Sequence, residues 1–155
     1  VVGLGGDGSA LASAASESFL VSCDNAHAVH PAHPELSDPT HAPVLGGGIV
    51  IKYNAAQHYT TDGVSSALFR LICEEAGVAA QNYANRADMP GGSTLGNISA
   101  SQLSVCSVDI GIAQLAMHSC RETAGASDTE AMIRALTVFY EKTLICERDG
   151  EYKLL

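Results

Sequence analysis

The sequence is poor in basic residues and in charge of either sign. Only eight of the 155 residues are Lys or Arg, against 17 Asp or Glu, and charged residues make up 16% of the chain. A chain with a formal net charge of -9 and few, scattered cations cannot neutralise many phosphates. We therefore expect no nucleic-acid partner, and we look instead for a small molecule, a peptide or a metal ion.

Paired cysteines and long apolar runs are also missing. The five cysteines are widely spaced and form no C-x-x-C pair, which argues against a disulfide framework and a cysteine-rich zinc knuckle. Apolar runs are short and interrupted, and no basic segment precedes an apolar one near Val1. These absences predict reduced thiols, no membrane segment and a cytoplasmic location.

What the sequence does contain is the length and apolar content of one folded domain. Hydrophobic residues make up 46% of the chain, enough to bury a core. Predicted strands alternate with predicted helices, which favours an α/β layer structure with a mostly parallel or mixed sheet. The predicted strands are 18–23, 49–53, 81–86 and 104–112; the predicted helices are 9–17, 63–76, 94–103 and a last one capped by Ser127 and Glu130.

Two of these helices have a predicted buried face and a predicted end. Gly77 should end the helix over 63–76, because glycine suits the left-handed position after a helix. Apolar spacing predicts the buried faces: Val64, Leu68, Leu71 and Ile72 on that helix, and Ile133, Leu136, Tyr140 and Leu144 on the last one.

Residues 25–48 are rich in His and Pro and should form a long loop, which in a small domain usually serves function. His27, His30 and His33 recur at intervals of three, and Asp24 directly precedes this loop at the end of the strand over 18–23. Histidine and aspartate are natural zinc ligands, but the prolines prevent the helix that would align the histidines. These histidines equally suit an exposed loop, and Asp24 equally suits a structural cap.

Three further residues could carry chemistry. His118 follows an apolar strand in QLAMHSCRE, where a hydrogen-bonded core histidine is the alternative. Lys52 ends the strand over 49–53, and Tyr59 follows after a short connection. A cation with a phenol nearby can bind a carboxylate, whereas a lysine that extends its ammonium to solvent is the alternative.

Two glycine-rich segments could bind anions. The run from Gly3 to Gly8, GLGGDG, fits G-x-G-x-x-G, but only two residues precede it, so no full strand leads into it. A flexible start to the chain explains the same residues. The segment MPGGSTLG places Gly91 to Thr94 at a predicted helix N-terminus, where they would bind an anion or simply cap the helix.

Four stretches together resemble a known family, the aspartyl aminopeptidases of the M18 zinc exopeptidases. In order and spacing they resemble its C-terminal half, over about residues 16–142: SCDNAHAVHP, LGGGIVIKYNAAQHYTTDGVSSALFR, RADMPGGSTLG and VDIGIAQLAMHSCRE. The resemblance implies a sandwiched α/β domain of the phosphorylase/hydrolase-like type, with helices on both faces of a mixed sheet. It also implies two zinc ions, release of N-terminal Asp or Glu from peptides, and homo-oligomers in the form of tetrahedral dodecamers.

The resemblance also assigns roles to residues by position. Asp24 would be a ligand of one zinc ion and His118 a ligand of the other. His27, Lys52 and Tyr59 would contact the substrate. The role of Lys52 makes physical sense, because a fixed cation selects an acidic side chain.

Several family features do not occur in this chain. The upstream metal-binding His, the bridging Asp and the Glu-Glu pair that includes the general base are absent, as is the interposed dimerisation domain. We therefore interpret residues 1–155 as the C-terminal portion of one metallopeptidase catalytic domain. Two alternatives stay open: a non-catalytic remnant that keeps the fold and assembly surfaces, and a nucleotide-binding module through Gly3 to Gly8.

Overall fold

One mixed β-sheet organises the chain, and helices cover both of its faces. The computed structural model describes residues 2–147 and 151–155. The elements are, in chain order, α1 (Gly8–Ser16), β1 (Phe19–Cys23), β2 (Ala26–His27), β3 (Ile49–Tyr53), α2 (Gly63–Ala76), β4 (Ala80–Ala84), α3 (Leu95–Gln102), β5 (Cys106–Leu115), β6 (Thr123–Ala124), α4 (Ala126–Glu141), β7 (Leu144–Cys146) and β8 (Tyr152–Leu154). Within the described residues, no helix is both long enough and apolar enough to cross a lipid bilayer.

Strand β5 is the centre of the sheet. Strand order along the main path is β1-β5-β3-β4, with β5 parallel to β1 and antiparallel to β3. Strand β2 continues the pairing of β1 along β5, with Ala26 opposite Ala113. Ile110 of β5 lies opposite both Cys23 of β1 and Ile51 of β3. The next residues of these strands, Asp24 and Lys52, therefore flank β5 from its two sides.

Alternation along β5 separates an apolar face from a partly polar one. Val108 and Ile110 point to the face covered by α2 and α4, where they join Ile49, Ile51, Phe69, Ile72, Cys73, Ala76 and Ala135 in the main core. Asp109 points to the other face and accepts a hydrogen bond from Thr94, just before α3. A second apolar cluster shares that face, made of Ala26, Ala28, Val50, Tyr59, Tyr83 and Ala113. The predicted mixed α/β sheet with helices on both faces is confirmed.

The predicted helix over 63–76 is confirmed, but half of its predicted buried face is wrong. Asp62 caps α2 by accepting from the Ser65 backbone N–H at 2.7 Å, and Gly77 ends it in the left-handed region with φ 63. Leu68 and Ile72 are buried, as predicted. Val64 and Leu71 are 45% and 50% exposed, because the buried stripe runs instead through Ser65, Ser66, Phe69, Cys73 and Ala76.

The predicted cap and buried face of the last helix are wrong. Helix α4 begins after Gly125, and no side chain caps it. Of the predicted face, Leu136 is partly buried, but Ile133 and Tyr140 are 63% and 81% exposed and Leu144 lies in β7. Helix α4 instead buries the face that carries Asp128, Ala131, Met132, Ala135 and Phe139.

Asp128 explains why α4 buries a different face from the predicted one. Its side chain is 1% exposed, and its two carboxylate oxygens accept from the backbone N–H groups of Gly46 and Gly48 at 2.7 and 2.9 Å. These two bonds fix the first turn of the helix against the glycine loop before β3. A hydrophobicity pattern treats Asp128 as a surface residue, and so it predicts the wrong face.

Smaller corrections concern element ends. The loop over 25–48 contains the two-residue strand β2 and a 3-10 turn, Pro34–Leu36, although its composition predicts neither helix nor strand. Strand β5 extends to Leu115 instead of ending at residue 112, and β4 spans Ala80–Ala84 rather than 81–86. The pair β7 and β8 is not among the predicted elements.

We predict that Asp128→Ala lowers the free energy of unfolding by about 2–3 kcal/mol, since it leaves two loop N–H groups without their acceptor. Ser127→Ala, at the predicted capping residue, should change it by less than about 0.5 kcal/mol, because Ser127 is exposed and caps nothing. Urea denaturation measures the free energy of unfolding of both variants. Equal losses would contradict the conclusion that Asp128, and not Ser127, fixes the start of α4.

Candidate functional site

Lys52 is a buried cation packed against an aromatic ring. It is 1% exposed, its Nζ lies 3.5 Å from the backbone carbonyl oxygen of Asn25, and the same atom lies 5.1 Å from the centroid of the Tyr59 ring. Burial lowers the pKa of Lys52, while the carboxylates of Asp24 and Asp109 act in the opposite direction. The alternative of a lysine reaching into solvent is therefore wrong, and a buried ammonium with so few partners marks a candidate site.

Tyr59 forms the wall beside this ammonium. It is 5% exposed, and its ring centroid lies 6.2 Å from that of Tyr83 on β4. Burial raises the pKa of both phenols, so both stay protonated at neutral pH. A neutral phenol can donate a hydrogen bond while its ring contacts the cation.

Asp24 lies on the other side of β5 from Lys52, directly after β1. Its backbone N–H donates to the Ile110 carbonyl at 2.9 Å, and its side chain is exposed. The next element is the strand β2, so Asp24 does not cap a helix. The chain here crosses close above Gly111, where a Cβ would overlap the carbonyl oxygen of Asp24 and lie 2.9 Å from the Cα of Asn25. Glycine at 111 is therefore required for Asp24 and Asn25 to approach Lys52.

His27 ends β2 and borders a cavity of about 320 Å³. His27, His30 and His33 all line this cavity, and the rings of His30 and His33 lie with their centroids 5.5 Å apart and their planes tilted by 33°. Other side chains lining the cavity include Asp38, His41, Tyr83, Asn85 and Arg86. The Asn85 Oδ1 atom is buried and has no hydrogen-bond partner among the described residues.

His118 lies in the turn that follows β5. It is exposed, which excludes a core histidine, and its backbone has φ 68, in the left-handed region that few residues other than glycine adopt. The backbone N–H of His118 donates to Glu122 Oε1 at 2.6 Å, which holds this turn. The imidazole is thus presented from a constrained backbone.

The predicted metal ligands do not form a zinc site by themselves. A catalytic zinc ion is held by three protein ligands and keeps an open position. Over residues 2–147 and 151–155, no three His, Cys, Asp or Glu side chains are grouped so that they could hold one metal ion. The roles predicted for Asp24 and His118 therefore need further ligands, in agreement with the family motifs that the sequence lacks.

Asp109 is a site residue that sequence reasoning missed. It is fully buried, and its carboxylate accepts from the Thr60 backbone N–H at 2.7 Å, from Thr60 Oγ1 at 2.9 Å and from Thr94 Oγ1 at 2.7 Å. The sequence holds one signal for it: a single carboxylate inside the apolar run SVDIGI can be buried only with several donors around it.

The structure accounts for both glycine-rich segments without a bound anion. A 3-10 turn, Val2–Leu4, leads directly into α1, and Asp7 caps that helix by accepting from the Ala10 backbone N–H at 2.9 Å. Because the run from Gly3 to Gly8 does not join a strand to a helix, the nucleotide-binding alternative is wrong. At the start of α3, a Cβ on Gly96 would lie 2.8 Å from both Asp109 carboxylate oxygens, so the protein's own anion occupies that helix end.

Gly111→Ala should lower the free energy of unfolding by about 3 kcal/mol and displace Asp24, because the overlapping atoms belong to the backbone and cannot rotate away. Gly92→Ala is the matched control, since a Cβ there meets nothing within 4 Å. Its effect should stay within about 1 kcal/mol. Thermal or urea unfolding compares the two, and a neutral Gly111→Ala would contradict the close crossing.

Lys52→Met should raise the free energy of unfolding at pH 7 by about 1–2 kcal/mol, because methionine fills the space without a buried charge. The gain should shrink as pH rises from the lowered folded-state pKa of Lys52 towards its ordinary value of 10.5, where deprotonation removes the same charge. Lys153→Met, at an exposed ion pair with Glu147, is the control and should change stability by less than about 1 kcal/mol. A loss of stability in Lys52→Met would count against this description of its surroundings.

Comparison with known proteins supports the same family as the sequence motifs. Residues 3–140 match the family model described as aminopeptidase I zinc metalloprotease (M18). A probable M18 family aminopeptidase 2 from Pseudomonas paraeruginosa is 45% identical over 134 residues, which cover 86% of this chain and 31% of that protein. The chain thus spans about a third of the length of the curated relatives it matches.

Solved structures agree in fold as well as in sequence. A chain in the cryo-EM structure of the Ape4 and Nbr1 complex is 37% identical with a TM-score of 0.86, over 90% of this chain and 26% of that one. The mApe1 dodecamer of S. cerevisiae gives 30% identity and a TM-score of 0.75, over 84% of this chain and 28% of that one. The chain therefore belongs to the M18 family of zinc metalloproteases.

Proposed function

We propose that this chain forms one wall of the active site of an M18 zinc aminopeptidase that releases N-terminal Asp or Glu from peptides. Family membership supports the reaction class. The observation that carries the substrate class is the buried ammonium of Lys52, which lies beside Tyr59 and on the opposite side of β5 from Asp24.

Lys52 is suited to select an acidic side chain because its own partners are few. In the described part of the chain it forms no ion pair within 4 Å, and its one hydrogen-bond acceptor is a backbone carbonyl at 3.5 Å. A substrate carboxylate would supply the missing anion. A neutral side chain of the same shape would leave the ammonium buried and unpaired, which disfavours its binding.

Tyr59 and His27 complete this wall in the proposal. The Tyr59 ring limits where a substrate side chain can approach Lys52, and its phenol offers one donor. His27 lies at the rim of the 320 Å³ cavity, which is within the size range of small-ligand sites and would take the peptide beyond its first residue.

We also propose Asp24 and His118 as ligands of a two-zinc site. Further ligands must come from outside the described residues, because these hold no complete ligand group. We assign the general base to the same missing part of the enzyme. The much greater length of the relatives leaves room for such residues elsewhere in the enzyme.

Assembly and location belong to the same proposal. The mApe1 relative is a dodecamer, and we extend homo-oligomeric assembly to the enzyme that carries this chain. All five cysteines are free thiols in the structure, which suits a reducing cytoplasm.

The alternative is a non-catalytic remnant, which the missing ligand group favours. Zinc content and hydrolysis of an Asp-initiated peptide separate the two, measured on the protein that carries this chain after incubation with zinc. Bound zinc with turnover supports the enzyme. Neither zinc nor turnover supports the remnant and contradicts the proposed function.

Substrate selection is tested by comparing peptides that begin with Asp and with Asn, which differ in charge but hardly in shape. Lys52→Met should lower kcat/KM for the Asp peptide about 100-fold, the loss of one charge-assisted interaction, and change that for the Asn peptide less than about threefold. Lys153→Met, far from the site in sequence and exposed, should leave both values unchanged. Equal losses of kcat/KM on both peptides in Lys52→Met would contradict the proposed role of Lys52 in selecting an acidic side chain.

A further inference from the structure

We infer that Asp109 is the positioning residue of this wall: its carboxylate anchors residues 59–61 and so holds the Tyr59 ring against the Lys52 ammonium. The inference deepens the proposed function and rests on it where substrate selectivity is concerned. The contact that it explains, between Tyr59 and Lys52, exists without substrate and can be measured without it.

The anchor consists of four short hydrogen bonds around one fully buried residue. Asp109 Oδ2 accepts from the backbone N–H and the hydroxyl of Thr60, at 2.7 and 2.9 Å. Its Oδ1 accepts from the Thr94 hydroxyl at 2.7 Å, and its backbone N–H donates to Thr61 Oγ1 at 2.8 Å. Both Thr60 and Thr61 are therefore tied to the central strand β5.

This anchor acts on Tyr59 through a single peptide plane. The bonded N–H of Thr60 belongs to the peptide unit whose carbonyl carbon is that of Tyr59, so fixing the N–H fixes the plane that ends at the tyrosine Cα. Residues 55–58, before Tyr59, are exposed and bond within their own turn: Ala56 and His58 donate to Asn54 Oδ1, and Gln57 donates to the Asn54 carbonyl. Thr60 and Thr61 are therefore the residues that tie the backbone of Tyr59 to β5, while its ring packs against Tyr83.

A second buried carboxylate shows what a purely structural anchor does here. Asp128 also accepts two backbone N–H groups of a loop, those of Gly46 and Gly48. Both carboxylates are buried, yet only Asp109 is near enough to Lys52 to oppose the effect of burial on the pKa of that lysine. Asp128 therefore serves as the matched control for Asp109.

Substitutions at Asp109 separate the effect of its hydrogen bonds on the position of Tyr59 from the effect of its negative charge. Asparagine can turn so that its amide oxygen still accepts from Thr60 and its amide nitrogen donates to the Thr94 hydroxyl. Asp109→Asn thus removes the charge and keeps the anchor, whereas Asp109→Ala removes both. Asp109→Ser shortens the side chain so that it no longer reaches both Thr60 and Thr94, and it remains informative if Asp109→Ala does not fold.

The first readout is the NMR signal of the Lys52 ε-methylene group in the protein that carries this chain. The signal that disappears in Lys52→Met identifies it. The Tyr59 ring should shift this signal, and Asp109→Ala or Asp109→Ser should reduce the shift by about half or more, while Asp109→Asn and Asp128→Asn keep it. An unchanged shift in folded Asp109→Ala, or in Asp109→Ser should the alanine variant not fold, would overturn the inference.

The second readout is selectivity in the active enzyme, as the ratio of kcat/KM for Asp over Asn peptides. Asp109→Ala should lower this ratio about tenfold, and Asp109→Asn should keep it within about threefold. A merely structural role would lower the fraction of active enzyme and leave the ratio unchanged, as expected for Asp128→Asn. An enzyme without preference for Asp would refute the proposed function, while the NMR readout would still decide the role of Asp109.

Discussion

Burial of one ammonium group is the constraint on which the rest of the site depends. Lys52 is buried, and among the described residues its ammonium has a single hydrogen-bond acceptor, the Asn25 carbonyl, so the protein must arrange other groups around it. Gly111 lets the chain at Asn25 come close enough for its carbonyl to reach the cation. Tyr59 covers the ammonium, and Asp109 holds the segment that carries Tyr59. A buried charge without an ion pair weakens the fold and suits a partner that brings its own carboxylate.

The sheet divides stability and chemistry between its two faces. Along β5, Val108 and Ile110 face α2 and α4 and build the apolar core. Asp109, between them in sequence, faces the opposite side, where hydroxyls and backbone N–H groups surround it. Strand alternation alone thus places a rigid core behind the polar wall, and rigid support of this kind keeps binding groups in position.

Local signals predict much of the fold, whereas buried polar groups cause most of the errors. Helix α2 is predictable because Gly77 marks its end, and the position of Asp24 because it directly follows an apolar strand. The buried face of α4 is not predictable, because Asp128 is buried by hydrogen bonds from loop N–H groups that are 82 and 80 residues away in sequence. The histidine repeat suggests a metal site that the structure does not show among the residues it describes, because regular spacing in a loop does not bring side chains together as ligands. The three rings instead line a cavity. Lys52 is a candidate site residue because its ammonium is buried, and this burial is not predictable from the pattern of residues around it.

The most direct test of the proposed role of Lys52 is a crystal structure of the protein that carries this chain, loaded with zinc and with L-aspartate, the product of the proposed reaction, bound. We predict that the side-chain carboxylate of aspartate lies about 3 Å from Lys52 Nζ, with Tyr59 beside it. An aspartate whose side chain points away from Lys52, with the ammonium still paired only to the Asn25 carbonyl, would contradict this role.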